Sequence, residues 1–266
     1  MSRRVVVLVS LCFSVPLLVL LLAAWQGLDG YRIDLDAVLA SPNSQHFLGC
    51  DALGRDVLAR LAEGLKLSLF VGVLVVSLGA LVGISLGMLA AWLGGWVDAL
   101  LMRVADVVLS FPGILLAIAL AAMLGPGVDN LILALVLVGW VGFARLSRVQ
   151  TLSLKSSAFV DAARANGVGV VPIFYRHLLP NIAAPLLVEA SFGLAAVMIG
   201  EAGLSFLGVG VQPPAASLGT MIREGSSLML VQPMLVVWPG LVLFLIVMAV
   251  NLLGDAWRDR LDVRHD

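Results

Sequence analysis

SLFVGVLVVSLGALVGISLGMLAAW, residues 68–92, is a run of 25 positions with no charged side chain. A helix of this length is longer than the roughly 20 residues needed to cross the hydrocarbon core of a bilayer. Gly79, Gly83 and Gly87 recur every four residues in this run and therefore lie on one helix face. Such a face lets another helix backbone approach closely, either within this chain or on a partner subunit.

The whole chain is strongly apolar. Of its 266 residues, 61% are hydrophobic and 12% are charged, and the mean hydropathy is +1.08. A soluble domain of this size needs more polar surface to cover its core, whereas lipid solvates apolar side chains directly. The composition therefore predicts an integral membrane protein.

Six segments are predicted to cross the membrane as helices, which makes the fold class an all-α membrane protein. They are residues 5–24, 68–92, 107–124, 130–144, 183–200 and 234–254. The first follows MSRR as a signal peptide would, but its 20 residues favour a retained span. In the third, Phe111-Pro112-Gly113 predicts an irregular helix, because proline lacks an N–H. Either a gate hinge or simple kinked packing explains that irregularity.

The charges predict an orientation and the loops predict a domain plan. Placing both termini in the cytoplasm puts most of the 16 Arg and Lys residues on the inner side, as the positive-inside rule requires. We expect residues 1–62 to form an N-terminal helix with an outer loop, and residues 257–266 a cytoplasmic tail. Residues 63–256 form the transmembrane core, with a long inner loop at 145–182.

The sequence offers few of the residues that ATP hydrolysis, proton transfer or metal binding would need. No GxxxxGK[ST] phosphate loop is present, so an ATP-driven mechanism needs ATPase subunits elsewhere and this chain is not expected to be an enzyme. Glu189 and Glu201, both in or at the end of the fifth span, are a thin basis for a proton relay. Cys12, Cys50 and three scattered histidines predict no metal site, and no cofactor is expected. A self-sufficient channel or secondary carrier and a purely structural membrane subunit remain alternatives.

The inner loop contains a spaced motif, D-A-A-x3-G-x9-H-x-L-P, from Asp161 to Pro180. It resembles the EAA loop of ABC import permeases, in which Glu is usual at the first position and Ile at the position of His177. We expect two short helices here, the first ended by Gly167 and the second by Pro180. Small residues at 162 and 163 would let the first helix dock in a groove on another protein. An ordinary cytosolic hairpin is the alternative.

Three further stretches resemble the permeases of the dipeptide, oligopeptide and nickel family. HFLGCDALGRDVLARL (residues 46–61) is similar to that family's LGTDxLGRD segment, with Cys50 where Thr is common. GEAGLSFLGVGVQPP (residues 200–214) is similar to its EAGLSFLGLG stretch, and residues 238–262 are similar to its last span and tail. The likeness is to the C-type member of a permease pair.

The resemblance implies a type I ABC importer permease in a bacterial inner membrane, with no catalytic site. Its implied partners are a B-type companion permease, two ABC ATPase subunits and an extracytoplasmic substrate-binding protein; no nucleic acid is expected. The implied ATPase-coupling residues are Asp161, Ala162, Ala163, Gly167, His177, Leu179 and Pro180. The implied outer loop or gate residues are Leu48, Gly49, Asp51, Gly54, Arg55, Asp56, Leu204, Ser205, Phe206, Leu207 and Gly208.

Two matters stay open at this stage. Asp51, Arg55 and Asp56 either face a binding protein or pair within their own loop. The substrate is expected to be a di- or oligopeptide, with nickel or a metallophore as the alternative and glutathione-like molecules also within the family's range.

Overall fold

The computed structural model describes residues 3–27 and 29–262, which are helical apart from turns and connecting loops. Within these ranges the only β-type pairing is one isolated antiparallel bridge between Cys50 and Asp56. The helices are α1 Arg3–Gln26, α2 Val57–Leu93, α3 Gly95–Leu109, α4 Gly113–Leu124, α5 Val128–Leu154, α6 Ala158–Ala165, α7 Val170–Pro172, α8 Leu179–Phe206, α9 Leu218–Ser226 and α10 Met234–Asp262. A 3-10 turn, Leu35–Ala37, precedes α2, and a π-helical turn, Ile173–Leu178, joins α7 to α8. The prediction of an all-α fold is confirmed.

Five helices among the described residues are long and apolar enough to cross a membrane. They are α1, α2, α5, the continuous helix Val170–Phe206 and α10. A helix forms its backbone hydrogen bonds within its own segment, which suits a hydrocarbon core without water. Helices α3 and α4 pass the same test only together, as a pair bent by 88°. Counting that pair as one broken span gives six, the number predicted from the sequence.

The third predicted span, residues 107–124, is not one continuous helix. Helix α3 ends at Leu109 and α4 begins only at Gly113. Pro112 accounts for the break, because proline has no N–H for the helix and disfavours the α conformation at the preceding residue, Phe111. The irregularity expected at this point is therefore a turn of 88° between two separate helices.

The glycine face of α2 packs against α5 of the same chain. A Cβ on Gly83 would overlap the carbonyl oxygen of Trp140, and one on Gly87 would overlap the side chain of Ser147. Gly79 also faces the α5 backbone. Only glycine lets two helix backbones run this close together. Of the two interpretations of this face, packing within the subunit is confirmed.

The helix ends fall into two groups at opposite ends of the bundle. Lys155, which follows α5, donates hydrogen bonds to the carbonyl oxygens of Ala91 and Trp92 at the end of α2, at 3.0 and 2.6 Å. At the other end the N–H of Gly127, before α5, donates to the carbonyl oxygen of Gly210, after α8, at 3.1 Å. We call residues 155–178, which join α5 to α8, the elbow, and this side of the bundle the elbow end.

The elbow contains one separate short helix, α6, instead of the two expected. The predicted second helix is continuous with α8, and Pro180 does not end it. The π-helical turn explains this, because the N–H of Leu179 bonds to the carbonyl oxygen of Phe174, five residues back. This wider turn replaces backbone hydrogen bonds to the fourth residue back by bonds to the fifth, just before the proline that lacks an N–H. The side chain of Asn181 donates to the nearby carbonyl oxygen of His177 at 2.6 Å.

Helix α1 packs beside α10 and the beginning of α2. Val19 and Ala23 share a buried cluster with Leu61 and Val242, which fixes the first span to the rest of the bundle. Helix α2 runs unbroken through residue 62, and α10 through residue 256. Neither predicted domain boundary therefore coincides with a helix end.

Candidate functional site: the elbow and the opposite loops

Helix α6 presents one face to its own chain and the other outward. Val160 and Ala163 are buried in a cluster that includes Met88, Ile173 and Leu178. Of the motif residues, Asp161, Ala162, Gly167 and Pro180 are exposed, His177 and Leu179 are half-buried, and Ala163 is buried. The structure thus places all seven in the elbow and the first turn of α8, but Ala163 is covered within this chain. Ala162 is the motif alanine that a second protein can contact.

Gly167 ends α6 in a left-handed conformation, with φ of +75°. Its N–H donates to the carbonyl oxygen of Arg164 at 2.9 Å, and the N–H of Val168 donates to that of Ala163 at 3.0 Å. These bonds satisfy carbonyl groups that a helix end would otherwise leave unpaired. Nothing lies within 4 Å of where a Cβ on Gly167 would stand, so the glycine is required by its dihedral angles and not by crowding.

The elbow is held to the end of α2 through Trp92. The guanidinium carbon of Arg164 lies 4.3 Å from the centre of the Trp92 ring, a cation–π contact. Phe174 meets the same ring edge-on, with centroids 5.3 Å apart and planes at 80°. Lys155 caps α2 at the neighbouring carbonyl groups. The sequence motif did not predict this contact. The only feature of the sequence that pointed to it was a tryptophan at the end of a long apolar run.

Ion pairs fix α3 across α5 near the elbow end. Arg148 donates from Nη2 to Asp98 at 2.6 Å, and Arg145 pairs with Asp106. Ala105, between the two acids, is fully buried against α5. Helix α3 is therefore attached to α5 by charges at two points and by an apolar contact between them.

At the opposite end, residues 48–56 form a tight, mostly buried loop before α2. The N–H of Asp51 donates to the carbonyl oxygen of Arg55, and the N–H of Cys50 donates to that of Ala40, both at 3.0 Å. Gly49 and Gly54 have φ of +78° and +70°. A Cβ on Gly54 would overlap the carbonyl oxygen of Asp34, so the loop closes on residues 34–40 only because this position has no side chain.

Two arginines and two acids form a buried network across this end. Asp51 Oδ2 accepts from Arg55 Nε and from Arg60 Nη1, both at 2.7 Å. Glu224 Oε2, on α9, accepts from Arg60 Nη1 at 2.7 Å and from Arg55 Nη2 at 3.0 Å. Asp51 and both arginines are buried. Asp51 and Arg55 thus pair within their loop, the second of the two interpretations left open, and join it to α9 as well.

Asp56 has a structural role at the start of α2. Its Oδ1 accepts the N–H of Ala59 at 2.8 Å and so caps the helix, while its Oδ2 lies 2.8 Å from Nδ1 of His46. Of the remaining outer residues, Gly49 and Gly54 are buried and Leu48 is half-buried. None of the three polar residues of this loop projects freely outward.

The second outer stretch, residues 204–208, is divided between core and surface. Ser205 donates to Glu201 Oε1 at 2.8 Å and accepts the N–H of Val211 at 3.1 Å. Glu201 is fully buried, and its Oε2 accepts from Ser68 of α2 at 2.7 Å. Leu204 is buried and Gly208 half-buried, whereas Phe206 and Leu207 are exposed. The carboxylate of Glu201 therefore joins α8 to α2, and the two apolar side chains are free for contact.

Cys50 lies in the same loop as a free, buried thiol. Burial, followed by the charges of Asp56, Asp51 and Asp34, raises the pKa of this thiol from 9.0 to about 11. Across residues 3–27 and 29–262 no group of three or more His, Cys, Asp or Glu side chains is arranged to hold a metal ion.

The fold agrees with comparisons to known proteins. Residues 83–265 match the family described as "Binding-protein-dependent transport system inner membrane component". The chain belongs to this family, whose members are the membrane subunits of ABC importers.

Individual relatives make the relationship more specific. The chain is 42% identical over 229 residues to the glutathione transport system permease protein GsiD of Pectobacterium atrosepticum, covering 86% of this chain and 76% of that protein. The GsiD protein of Escherichia coli O6:K15:H31 matches with the same identity and coverage. Among solved structures, the inward-facing MetNI methionine ABC transporter matches with a TM-score of 0.62 and 18% identity, over 75% of this chain and 95% of that chain. That likeness shows the fold alone.

The chain is therefore a multi-pass permease subunit of an ABC importer in a bacterial inner membrane. ATP is hydrolysed by partner subunits, and the family's transporters also use a second permease and a substrate-binding protein. A self-sufficient channel or secondary carrier, the alternative class, does not agree with this membership.

Proposed function

We propose that this chain is the C-type permease of a pair and forms, with a B-type companion, the path by which small peptides cross the membrane. Two ABC ATPase subunits power the complex, and an extracytoplasmic binding protein delivers the substrate. The relatives are named for glutathione, itself a small peptide derivative, which supports this substrate class over nickel.

The observation that carries the coupling mechanism is the two-sided packing of α6. One side is buried against this chain, and Arg164 joins it to Trp92 at the end of α2. The other side presents Phe159, Asp161 and Ala162 to the surroundings. A helix fixed on one side and exposed on the other suits contact with a moving partner. In this proposal the ATPase subunit contacts that exposed face, and its closure on ATP turns α2 and α5 together.

The orientation in this proposal places the elbow end and both termini in the cytoplasm. Support comes from the basic residues near the elbow, Arg145, Arg148, Lys155, Arg164 and Arg176. It also requires that α3 and α4 count as a single broken crossing, with α3 lying across the bundle at the inner surface. At the outer end, Phe206 and Leu207 are the motif residues left free for the binding protein.

The test is uptake by the assembled complex in proteoliposomes. The complex is reconstituted from two permeases, two ATPases and the binding protein, with ATP supplied on the side of the membrane where the ATPases lie. Uptake of a dipeptide, of glutathione and of Ni²⁺ is then measured. We expect uptake of peptide or glutathione that depends on ATP and on every subunit. Uptake of Ni²⁺ without either peptide would favour the alternative substrate.

Gly167 supplies the matched pair of variants for the coupling step. Gly167→Val places a β-branched residue where φ is +75°, whereas Gly167→Asn places there the residue that best tolerates this conformation after glycine. We expect the valine variant to lose most ATP-driven uptake, and the asparagine variant to retain most of it. Equal uptake by both variants would contradict the role proposed for α6.

A further inference from the structure

Two carboxylates lie within the span formed by α8, and their surroundings differ. Glu201 accepts hydrogen bonds from Ser68 and Ser205 and is fully buried. Glu189, twelve residues earlier, is only half-buried, and no described residue forms a hydrogen bond or an ion pair with it. Charged side chains inside a membrane are costly, and they usually face a cavity or pair with an opposite charge. Glu189 is therefore open to a group from outside the described chain.

The arginines nearest along α5 do not supply that partner. Arg145 is paired with Asp106, and Arg148 is paired with Asp98. Both acids lie on α3, so these pairs hold α3 to α5 and balance their own charges. Neither arginine is therefore paired with Glu189.

Helix α5 makes room for this carboxylate. A Cβ on Gly142 would overlap Oε1 of Glu189, so the acid lies directly over the bare backbone of α5. Gly139, one turn away, is exposed and has nothing within 4 Å of a Cβ position. Glu189 thus lies beside a stretch of α5 without side chains, on a face that this chain leaves open.

The break between α3 and α4 keeps this face uncovered. Helix α4 begins at Gly113, whose Cβ would lie 3.5 Å from Val138 of α5. The 88° turn then directs α3 over a different side of α5, where Ala105 packs with Trp140 and Ala144. Gly139 and Gly142 remain exposed next to the turn. Beside this broken span, which the sequence could assign either to a hinge or to simple packing, Glu189 is half-exposed.

We propose that the carboxylate of Glu189 binds the ammonium group of a peptide substrate as it passes through the membrane. The inference rests on the proposed function, since it requires that the complex transports peptides. Every free peptide carries an amino-terminal ammonium near neutral pH, because that group has a pKa near 7.7–8.0. A single half-exposed carboxylate provides one charged contact, which suits a substrate that must bind and then leave.

The experiment compares a dipeptide with its N-acetylated form at concentrations that saturate the binding protein with either one. The complex with an unchanged chain is expected to transport the free peptide about tenfold faster than the acetylated one. A rate ratio of this size corresponds to the free energy of one hydrogen bond to a charged group. With Glu189→Gln we expect the two rates to converge to within about twofold, while ATP hydrolysis stimulated by the loaded binding protein persists. Glu63→Gln, which removes an acid that pairs with Lys66 at the surface, is the control and should keep the discrimination.

Gly142→Ala provides a second variant that retains the acid. The added methyl group displaces the carboxylate, so discrimination should fall, whereas Gly139→Ala, at an open position, should leave it intact. This pair also tests the inference if Glu189→Gln does not fold.

Three results would overturn the inference. Unchanged discrimination in the Glu189→Gln complex would show that the acid does not bind the substrate. Loss of the companion permease from that purified complex would show that Glu189 pairs with a basic residue of the companion. No uptake of either peptide by the unchanged complex, with ATP hydrolysis intact, would remove the proposed function and this inference with it.

Discussion

The guanidinium carbon of Arg164 lies 4.3 Å from the centre of the Trp92 ring, which joins α6 directly to the end of α2. Helix α2 in turn packs its glycine face closely against α5, where a Cβ on Gly83 would overlap the carbonyl oxygen of Trp140 and one on Gly87 that of Ala144. Close-packed interiors transmit displacement because they have little free volume. A force applied to α6 is therefore expected to move α2 and α5 as one body.

Replacing Trp92 by alanine tests this connection. The change removes a cation–π contact and an edge-on aromatic contact, each worth about 1 kcal/mol. We expect the number of substrate molecules transported per ATP hydrolysed to fall several-fold, with the complex still assembled. Trp96→Ala is the control, because that side chain lies four residues on and is 76% exposed. An equal loss from both changes would show that the effect does not come from the elbow.

Arg60 is predicted to stabilise the outer end of the bundle. Its side chain is 3% exposed and pairs with both Asp51 and Glu224. Arg60→Ala leaves the buried Asp51 and the half-buried Glu224 without one of their donors, and we expect a loss of about 3 kcal/mol in the free energy of unfolding. The midpoint of thermal unfolding in detergent measures this loss.

Lys66→Ala is the matched control for that prediction. The Lys66–Glu63 pair is exposed on both sides, and pairs of this kind contribute about 1 kcal/mol or less. A shift in the unfolding midpoint as large as that of Arg60→Ala would contradict the importance given to the buried network.

Gly54→Ala is expected to disrupt the loop before α2. The new methyl group would overlap the carbonyl oxygen of Asp34, and φ at this position is +70°. Both effects oppose folding of residues 34–56, so we expect a lower unfolding midpoint and a lower yield of assembled complex. Gly27→Ala has a similar φ of +60° but meets nothing within 4 Å, and its smaller effect separates backbone strain from the clash.

Cys50 is predicted to be inert toward maleimides while the protein is folded. With its pKa raised to about 11, only about one thiol in a thousand is ionised at pH 8. We expect modification in a Cys12→Ala background only after denaturation, as followed by mass spectrometry. Rapid labelling of the folded protein at pH 8 would show that the loop opens.

The same raised pKa gives a sign for the pH dependence of stability. The folded state holds the thiol proton more tightly than the unfolded state, where the pKa is near 9.0. This contribution is complete below pH 9 and is lost as the pH rises from about 9 to about 11. Cys50→Ser, whose hydroxyl group does not titrate in this range, should remove that part of the decline.

The sequence by itself determined the membrane location, the all-α fold, the number of candidate spans and the position of the elbow. These properties follow from local features: uncharged runs long enough to cross a bilayer, proline and glycine at helix ends, and a motif spaced over 20 residues, 161–180. It also predicted an irregular helix at Pro112, because a missing N–H is a local property. It did not predict the 88° direction of that turn, or the π-helical turn that carries α8 through Pro180.

Tertiary structure alone decided which charges are balanced. Arg60 and Glu224 are 164 residues apart in the sequence, and Glu201 and Ser68 are 133 residues apart. No local sequence pattern predicts either pairing. The same holds for Glu189. It is half-buried without a described partner, whereas Glu201 is buried and hydrogen-bonded, and this difference arises only when α8 packs against α2 and α5. The physical reason is that the free energy of a charge in a membrane depends on which groups the chain's path brings within hydrogen-bond distance. Spacing along the sequence does not contain that information.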